Sequence, residues 1–136
     1  MKGYNCIIVL SQDKERLLMC KRLSDPYKGL YNLVGGKIEP GEESADAAYR
    51  ELWEETGIGR EQISLKHLMD FTYYFDECYV EVYAGKLNGP VDLVVEKHPL
   101  VWMDKNEDFF SMKKFAGEGN IGHMLEILKQ CGEDYL

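Results

Sequence analysis

Glu51, Glu54 and Glu55 have the residue type and the spacing of a metal-binding cluster. At about 100° per residue, a helix would place their three carboxylates within an arc of roughly 100°. Carboxylates three or four residues apart on a helix repel one another, so such a face is unfavourable by itself. Oxygen ligands suit Mg²⁺ or Mn²⁺, and Mg²⁺ keeps several waters while it joins substrate phosphates. The spacing therefore indicates a site for a hard divalent cation; the alternative is an ordinary solvated helix face.

The residues around these glutamates favour the cation site. The segment from Gly36 to Ile58 contains seven acidic and two basic residues and carries a net charge of −5. Two glycines and a Pro-Gly turn precede the predicted helix. Arg50 lies one turn before Glu54 and one turn after Asp46, so it can pair with either carboxylate. This combination is more particular than a run of surface charge.

A single helix has to position the glutamates, and the sequence predicts both of its ends. Ser44 can cap its start, alanines follow, and Gly57 stands where a helix usually stops. The opposite arc would face a core and comprises Ala45, Ala48, Tyr49, Leu52, Trp53 and Thr56. The helix is therefore predicted to separate an acidic face from an apolar one.

The whole segment resembles the Nudix box. That motif reads Gly, five residues, Glu, seven residues, Arg-Glu, an aliphatic residue, any residue, Glu-Glu, any residue, Gly and an aliphatic residue. Every fixed position is filled here, by Gly36, Glu42, Arg50, Glu51, Leu52, Glu54, Glu55, Gly57 and Ile58. The resemblance implies a single Nudix hydrolase domain over residues 1–136, with its box at 36–58, that hydrolyses nucleoside diphosphates linked to a further group.

The resemblance also implies roles for individual residues. Glu54, Glu51 and Glu55 would be catalytic metal ligands, with the backbone carbonyl of Gly35 as another ligand. Glu42 would be a nearby ligand or a supporting carboxylate, and Arg50 would orient the glutamates. The implied cofactor is Mg²⁺, with Mn²⁺ as the other candidate; a metal-bound water becomes a better nucleophile, and the ion offsets charge on phosphate oxygens.

Three residues outside the box resemble the MutT-like branch, which cleaves purine nucleoside triphosphates, often oxidised ones, to the monophosphate and pyrophosphate. Glu96 lies six residues before a Trp-Met pair, as does a MutT glutamate that serves as metal ligand or general base. Asn120 and Asn32 match asparagines that contact the purine, and an amide suits that role because it both donates and accepts. A solvated loop glutamate and, for Asn120, a helix cap are the alternatives.

Further candidates for substrate binding are two basic residues and several aromatic ones. Arg22 ends a predicted strand and is a candidate phosphate contact, with solvated charge as the alternative. Lys37, beside the glycine pair, is a second basic candidate. Stacking on a base needs a ring face, for which the candidates are Phe115, Tyr31 and Tyr74, each with plain core packing as its alternative.

Two other functions remain as alternatives. Dinucleoside polyphosphate hydrolases carry a tyrosine about fifteen residues beyond the box, and Tyr73 and Tyr74 stand there, although aromatic residues in a half-buried strand are common. ADP-ribose hydrolases carry a proline at that distance, which Thr72 and Tyr73 replace. A non-catalytic nucleotide-sensing module, the alternative from another class, tends to lose a box glutamate, whereas this chain keeps them all.

Composition limits the classes of partner. The net charge is −8, which argues against nucleic acid or an anionic membrane surface and leaves a small nucleotide as the expected partner. The four cysteines have neither metal-ligand spacing nor a disulfide-framework pattern, so we expect reduced thiols. The sequence shows no signal peptide and no apolar run long enough to span a bilayer, so we expect a cytoplasmic protein. We expect it to be a monomer or a homodimer.

The remaining chain predicts an α/β fold. A second helix is indicated by Ile121, Met124, Leu125 and Leu128 at helical spacing, with Asn120 as a cap and Gly132 as a stop. The predicted strands are Tyr4–Leu10, Arg16–Lys21, Leu30–Val34, Leu65–Phe75, Cys78–Leu87 and Pro99–Met103. Strands interleaved with two helices imply an α/β/α sandwich with a mixed sheet between helices.

Overall fold

The structure is a computed structural model that describes residues 1–131 and 136. Its elements follow the predicted order and lie within two residues of most predicted bounds. They are β1 (Lys2–Leu10), β2 (Arg16–Lys21), β3 (Tyr31–Leu33), α1 (Ser44–Thr56), β4 (Lys66–Tyr73), β5 (Cys78–Lys86), β6 (Leu100–Asp104) and α2 (Asn120–Gln130).

The strands form one mixed sheet in the order β3-β2-β1-β5-β4, and β6 pairs with β2. The central strand, β1, runs parallel to β5 over nine residue pairs, from Lys2 opposite Cys78 to Leu10 opposite Lys86. The other strand pairs are antiparallel. β1 pairs with β2 only at Leu10, opposite Leu17. On the same edge, the earlier residues of β1 pair instead with the chain after β3, through Ile7 with Val34 and Tyr4 with Lys37. This pairing brings the glycine pair beside the centre of the sheet.

The two helices cover opposite faces of the sheet, which confirms the predicted sandwich. Successive side chains of a strand point to opposite faces. Ile8 belongs to a core cluster with Ile121 and Met124 of α2, and Ile7 belongs to a second cluster with Leu52 of α1. Neither helix in the described part of the chain is long and apolar enough to cross a bilayer.

The first helix starts and buries its residues somewhat differently from the prediction. The cap position is Glu43, which makes no side-chain capping bond, and the Ser44 hydroxyl instead donates to Glu81 Oε1 at 2.9 Å. Trp53 is 59% exposed, so its assignment to the core face was wrong. It lies about 100° around the helix from the fully buried Leu52, at the edge of the apolar face. Gly57 ends the helix as predicted, with a left-handed φ of 79°.

The second helix begins after Gly119, which occupies the cap position, so Asn120 is not the cap. Its side-chain amide instead donates to the Tyr73 hydroxyl. Gly132, the predicted stop, lies outside the described residues. All four cysteines are free thiols, and of these Cys131 is exposed and Cys20 is buried.

Candidate active site

An open cleft of about 830 Å³ lies beside the glycine turn that follows β3. The residues Gly35 and Gly36 form part of its wall, and α1 contributes its acidic face. The fold thus brings the predicted cluster into a cavity large enough for a nucleotide-sized ligand. The acidic residues that line it are Glu51, Glu54, Glu55, Asp76 and Glu96, and the basic ones are Arg22, Lys37, Lys97 and His98.

Arg50 lies behind the acidic face and ties it to the preceding loop. Its guanidinium donates to both carboxylate oxygens of Glu42, at 2.7 and 2.9 Å. It also donates to Glu51 Oε1 at 3.0 Å, to Glu54 Oε2 at 3.2 Å and to the Lys37 carbonyl at 2.9 Å. One planar cation therefore holds three carboxylates and one loop carbonyl in fixed relation, as a guanidinium can and an ammonium cannot.

Glu42 is fully engaged by these contacts. Besides accepting both Arg50 bonds, its carboxylate accepts the Glu39 N–H at 3.0 Å. The Arg50 hydrogen bonds, with that of Glu39, lower the pKa of Glu42 to about 2. Glu42 does not line the cleft. Of the two roles expected for it, the supporting carboxylate fits this geometry better than the direct ligand.

Glu51 and Glu55 lie deeper than Glu54. The Glu51 side chain is 14% exposed and the Glu54 side chain 48%. Burial raises the pKa of Glu51 above its ordinary value, against the effect of the Arg50 hydrogen bond. Burial raises the pKa of Glu55 to about 7, and the charges of Glu51 and Glu96 add smaller increases. The Gly35 N–H, which donates to Glu55 Oε2 at 3.1 Å, lowers this pKa in part. The face therefore holds negative charge that Arg50 alone does not compensate.

The main chain leaves room for these carboxylates only because of the glycines. A Cβ atom at Gly36 would lie 2.3 Å from the carboxyl carbon of Glu51. At Gly35, where φ is 148°, a Cβ would lie 2.1 Å from the Asn5 carbonyl oxygen. Any larger residue at either position would displace the turn or the acid beside it.

The donor set of this face fits a hard divalent cation. It consists of half-buried carboxylates whose ionised forms are disfavoured by burial, and an oxygen-liganded cation would relieve that cost. Across residues 1–131 and 136, however, no group of three or more His, Cys, Asp or Glu side chains is already arranged to hold a metal ion. Two of the glutamates, Glu51 and Glu54, are paired with Arg50 at 3.0 and 3.2 Å.

The family follows from a match over most of the chain. A sequence model of the NUDIX domain matches residues 1–113. The chain belongs to the NUDIX family. The acidic face on α1, the arginine behind it and the glycine turn before it are therefore the geometry of a NUDIX box in this chain.

Named relatives of this NUDIX chain differ in what they act on. It is 39% identical over 57 residues to an NAD-capped RNA hydrolase of Schizosaccharomyces pombe, covering 42% of this chain and 15% of that protein. It is 38% identical over 57 residues to a Bacillus subtilis protein named as an 8-oxo-dGTP diphosphatase, covering 42% and 36%. The matches thus span about a third or less of these relatives' lengths. A solved Ap4A hydrolase of C. elegans, 22% identical, superposes with a TM-score of 0.74 over 93% of this chain and 96% of that one, which shows the shared fold.

The structure brings most of the predicted substrate residues of the NUDIX chain to this cleft. Glu96, Arg22, Lys37, Asn32 and Asn120 all line it. The amide oxygen of Asn32 accepts the Leu33 N–H at 2.8 Å, so its amide N–H₂ group is the part left for a ligand. Arg22 is steadied by donating from Nε to the Pro26 carbonyl at 3.1 Å.

Three expectations for the NUDIX chain need correction. Phe115 is 1% exposed and packs in the core against Phe109 and Tyr31, so it offers no ring face to the cleft. Tyr74 is 78% exposed in the turn after β4 and does not line the cleft either. Asp46 pairs with Arg60 at 2.7 Å rather than with Arg50, which is occupied by nearer acids.

Sequence reasoning missed several cleft residues of the NUDIX chain. Tyr27 lines the cleft, and its hydroxyl donates to the Glu118 carboxylate at 2.7 Å, so a contact distant in sequence joins two loops. Asn5 lines it from β1 and is only 3% exposed. No local sequence pattern points to Tyr27. For Asn5 the signal was a lone amide in an otherwise apolar strand.

Proposed function

We propose that this chain is a Mg²⁺-dependent pyrophosphohydrolase that cleaves a purine nucleoside triphosphate, oxidised or not, to the monophosphate and pyrophosphate. The observation that carries the proposal is the convergence of Glu51, Glu54, Glu55 and Glu96 on one cleft that also holds basic and amide side chains. This reaction needs three kinds of group in one place: carboxylates to bind a cation, basic side chains to bind phosphates, and amides to bind the edge of a purine.

The acidic face would hold the cation. Glu51, Glu54, Glu55 and the Gly35 carbonyl are the proposed ligands, and Mn²⁺ would be accepted in place of Mg²⁺ because both take oxygen ligands. When bound, the ion lowers the pKa of a water and offsets the negative charge on phosphate oxygens. Arg50 holds Glu51 and Glu54 in position and keeps Glu42 behind them.

Glu96 is the proposed proton acceptor. It is exposed on the loop before β6 and lines the cleft. It lies near enough to Glu51 and Glu55 for its charge to raise the pKa of both. A carboxylate at that place can take the proton of an attacking water while the glutamates of α1 remain ligands. The other proposed role for Glu96 is that of a further metal ligand.

The remaining cleft residues would bind the nucleotide. Arg22 and Lys37 would contact phosphate oxygens, since both line the cleft together with the acidic face. Asn32 and Asn120 would contact the base through their amides. The relative named as an 8-oxo-dGTP diphosphatase supports a purine nucleoside triphosphate as the first substrate to test.

A second candidate substrate class is a dinucleoside polyphosphate of the Ap4A type. Tyr73 favours it, because this tyrosine of β4 lines the cleft and accepts a hydrogen bond from Asn120 instead of being buried in the core. A tyrosine ring at the cleft can stack on a base. This candidate shares the metal chemistry and differs in the products formed.

The experiment that tests the proposal is hydrolysis of a substrate panel with product identification. The panel comprises dGTP, 8-oxo-dGTP, dATP, CTP, Ap4A and ADP-ribose, each with Mg²⁺ and with a chelator. Monophosphate plus pyrophosphate from a purine triphosphate is the expected result. Release of ATP from Ap4A with no cleavage of triphosphates would favour the second candidate. Binding of a nucleotide without cleavage of any panel member would contradict catalysis altogether.

A further inference from the structure

Asn5 is a buried amide at the centre of the sheet. It lies on β1 and is 3% exposed, next to apolar residues such as Ile7 and Ile8 that are fully buried. Burying an amide costs free energy unless each polar atom finds a hydrogen-bond partner. Its presence in an otherwise apolar stretch therefore calls for a reason.

Asn5 holds the glycine turn with its backbone and its side chain. Its N–H donates to the Gly36 carbonyl at 2.8 Å, and its Oδ1 accepts the Gly36 N–H at 2.9 Å. The Asn5 carbonyl oxygen lies so close to Gly35 that a Cβ there would approach it to 2.1 Å. Asn5 thus fixes both peptide groups of Gly36 relative to β1.

The same turn carries two of the acids. Gly35 donates its N–H to Glu55 Oε2 at 3.1 Å, and Gly36 leaves the space that the Glu51 carboxyl group fills. A change in the turn is therefore transmitted to both carboxylates. Asn5 thus bonds to the turn, and the turn contacts both Glu51 and Glu55.

A second support lies on the neighbouring strand. Asn5 is register-paired with Glu81 of β5. Asn5 Nδ2 is a buried donor and Glu81 Oε2 a buried acceptor, and both lack a hydrogen-bond partner among the described atoms. The other oxygen of Glu81 accepts the hydroxyl of Ser44, the first residue of α1. The two atoms are complementary in kind, and one water molecule can join such a donor and acceptor.

We propose that Asn5 and Glu81 form a polar link from the glycine turn to the start of α1, and that this link positions Glu51 and Glu55 for the cation. The proposal rests on the proposed function for the presence of a metal site. Asn5 and Glu81 are positioning residues, because they act on the reaction through the turn and the helix. The link accounts for a buried amide and for a half-buried carboxylate with one buried oxygen, neither of which the chemistry itself uses.

The test is Mn²⁺ affinity, measured by electron paramagnetic resonance without nucleotide, for a double-mutant cycle of Asn5→Leu and Glu81→Met. Each single variant is expected to weaken Mn²⁺ binding by about 10- to 100-fold, the usual cost of losing a group that orients metal ligands. The double variant is expected to lose no more than the worse single variant, since both break one link. In the metal-free protein, Asn5→Leu should also speed amide hydrogen exchange at Gly36.

The control is Thr56→Val. Thr56 is fully buried on α1, its hydroxyl donates to the Leu52 carbonyl and accepts the Ile58 N–H, and it does not line the cleft. This variant should lose stability while keeping wild-type Mn²⁺ affinity, which separates positioning from general destabilisation.

The outcomes separate this inference from the proposed function. Wild-type affinity in Asn5→Leu, or additive losses in the double variant, would overturn the link. Wild-type protein that binds Mn²⁺ but cleaves no nucleotide would overturn the proposed function alone. Wild-type protein that binds no Mn²⁺ would overturn both.

Discussion

Glu55→Gln is expected to stabilise the metal-free protein while it abolishes stabilisation by Mg²⁺. Burial raises the pKa of Glu55 from its ordinary value of 4.5 to about 7. At about 1.4 kcal/mol per pH unit, the ionised carboxylate costs the folded state up to about 3 kcal/mol. Glutamine keeps the shape and still accepts the Gly35 N–H, but it carries no charge to bury.

The sign of the pH dependence follows from that raised pKa. Between pH 4.5 and about 7 the folded protein binds the Glu55 proton more tightly than the unfolded chain does. The contribution of Glu55 to stability therefore falls as the pH rises through this window and is constant above it. In chelator at pH 8, Glu55→Gln should exceed the wild type by up to about 3 kcal/mol, and this advantage should vanish near pH 4.5.

Urea unfolding in chelator and in saturating Mg²⁺ measures this prediction. Mg²⁺ at 100 times its dissociation constant should stabilise the wild type by about 2.7 kcal/mol and the variant by little, because only the wild type keeps the site. Glu54→Gln is the matched control: its side chain is 48% exposed, so its metal-free stability should change by less than about 1 kcal/mol. A Glu55→Gln protein that is less stable than the wild type in chelator at pH 8 would refute the reasoning.

Three further predictions concern the support of the acidic face. Arg50→Lys should lower Mg²⁺ affinity and turnover by roughly 10- to 100-fold, because an ammonium cannot hold Glu42, Glu51 and Glu54 together; titration calorimetry with a Glu42→Gln comparison checks this. Gly36→Ala should lower kcat by about 100-fold, because its Cβ would lie 2.3 Å from the Glu51 carboxyl carbon; unchanged kinetics would contradict the packing. The pKa of Glu42 is lowered to about 2, so its ionised carboxylate stabilises the folded state above pH 4.5, and this stabilisation is lost as the pH falls toward 2. In acid unfolding, the free energy of unfolding of Glu42→Gln should therefore fall less steeply with pH in this range than that of the wild type.

The acidic face and the order of elements were predictable because they depend on local spacing. The box fixes Glu51, Glu54 and Glu55 on one side of a helix by periodicity alone, and Gly57 ends that helix by its left-handed backbone. Alternating apolar strands with a second amphipathic helix then leave a sandwich as the natural packing.

What the sequence could not predict depends on contacts between distant residues. The Ser44 hydroxyl was expected to cap α1, but Glu81 on β5 offers it a stronger acceptor. Phe115 was a stacking candidate until its pairing with Tyr31 placed it in the core. Asn5 can bond to the glycine turn because β1 pairs with β2 only at Leu10, which leaves the earlier part of that edge to the turn. No local sequence pattern predicts where the pairing of β1 with β2 ends.

The central claim is that the acidic face of α1 performs the reaction only with a divalent cation. Its most direct test is turnover of dGTP by the wild type and by Glu54→Gln as Mg²⁺ is titrated into chelated protein. We expect no hydrolysis in chelator, a saturable rise with Mg²⁺ in the wild type, and rates lower by orders of magnitude in a folded Glu54→Gln protein. Undiminished turnover in chelator, or a Glu54→Gln variant as active as the wild type, would contradict the claim.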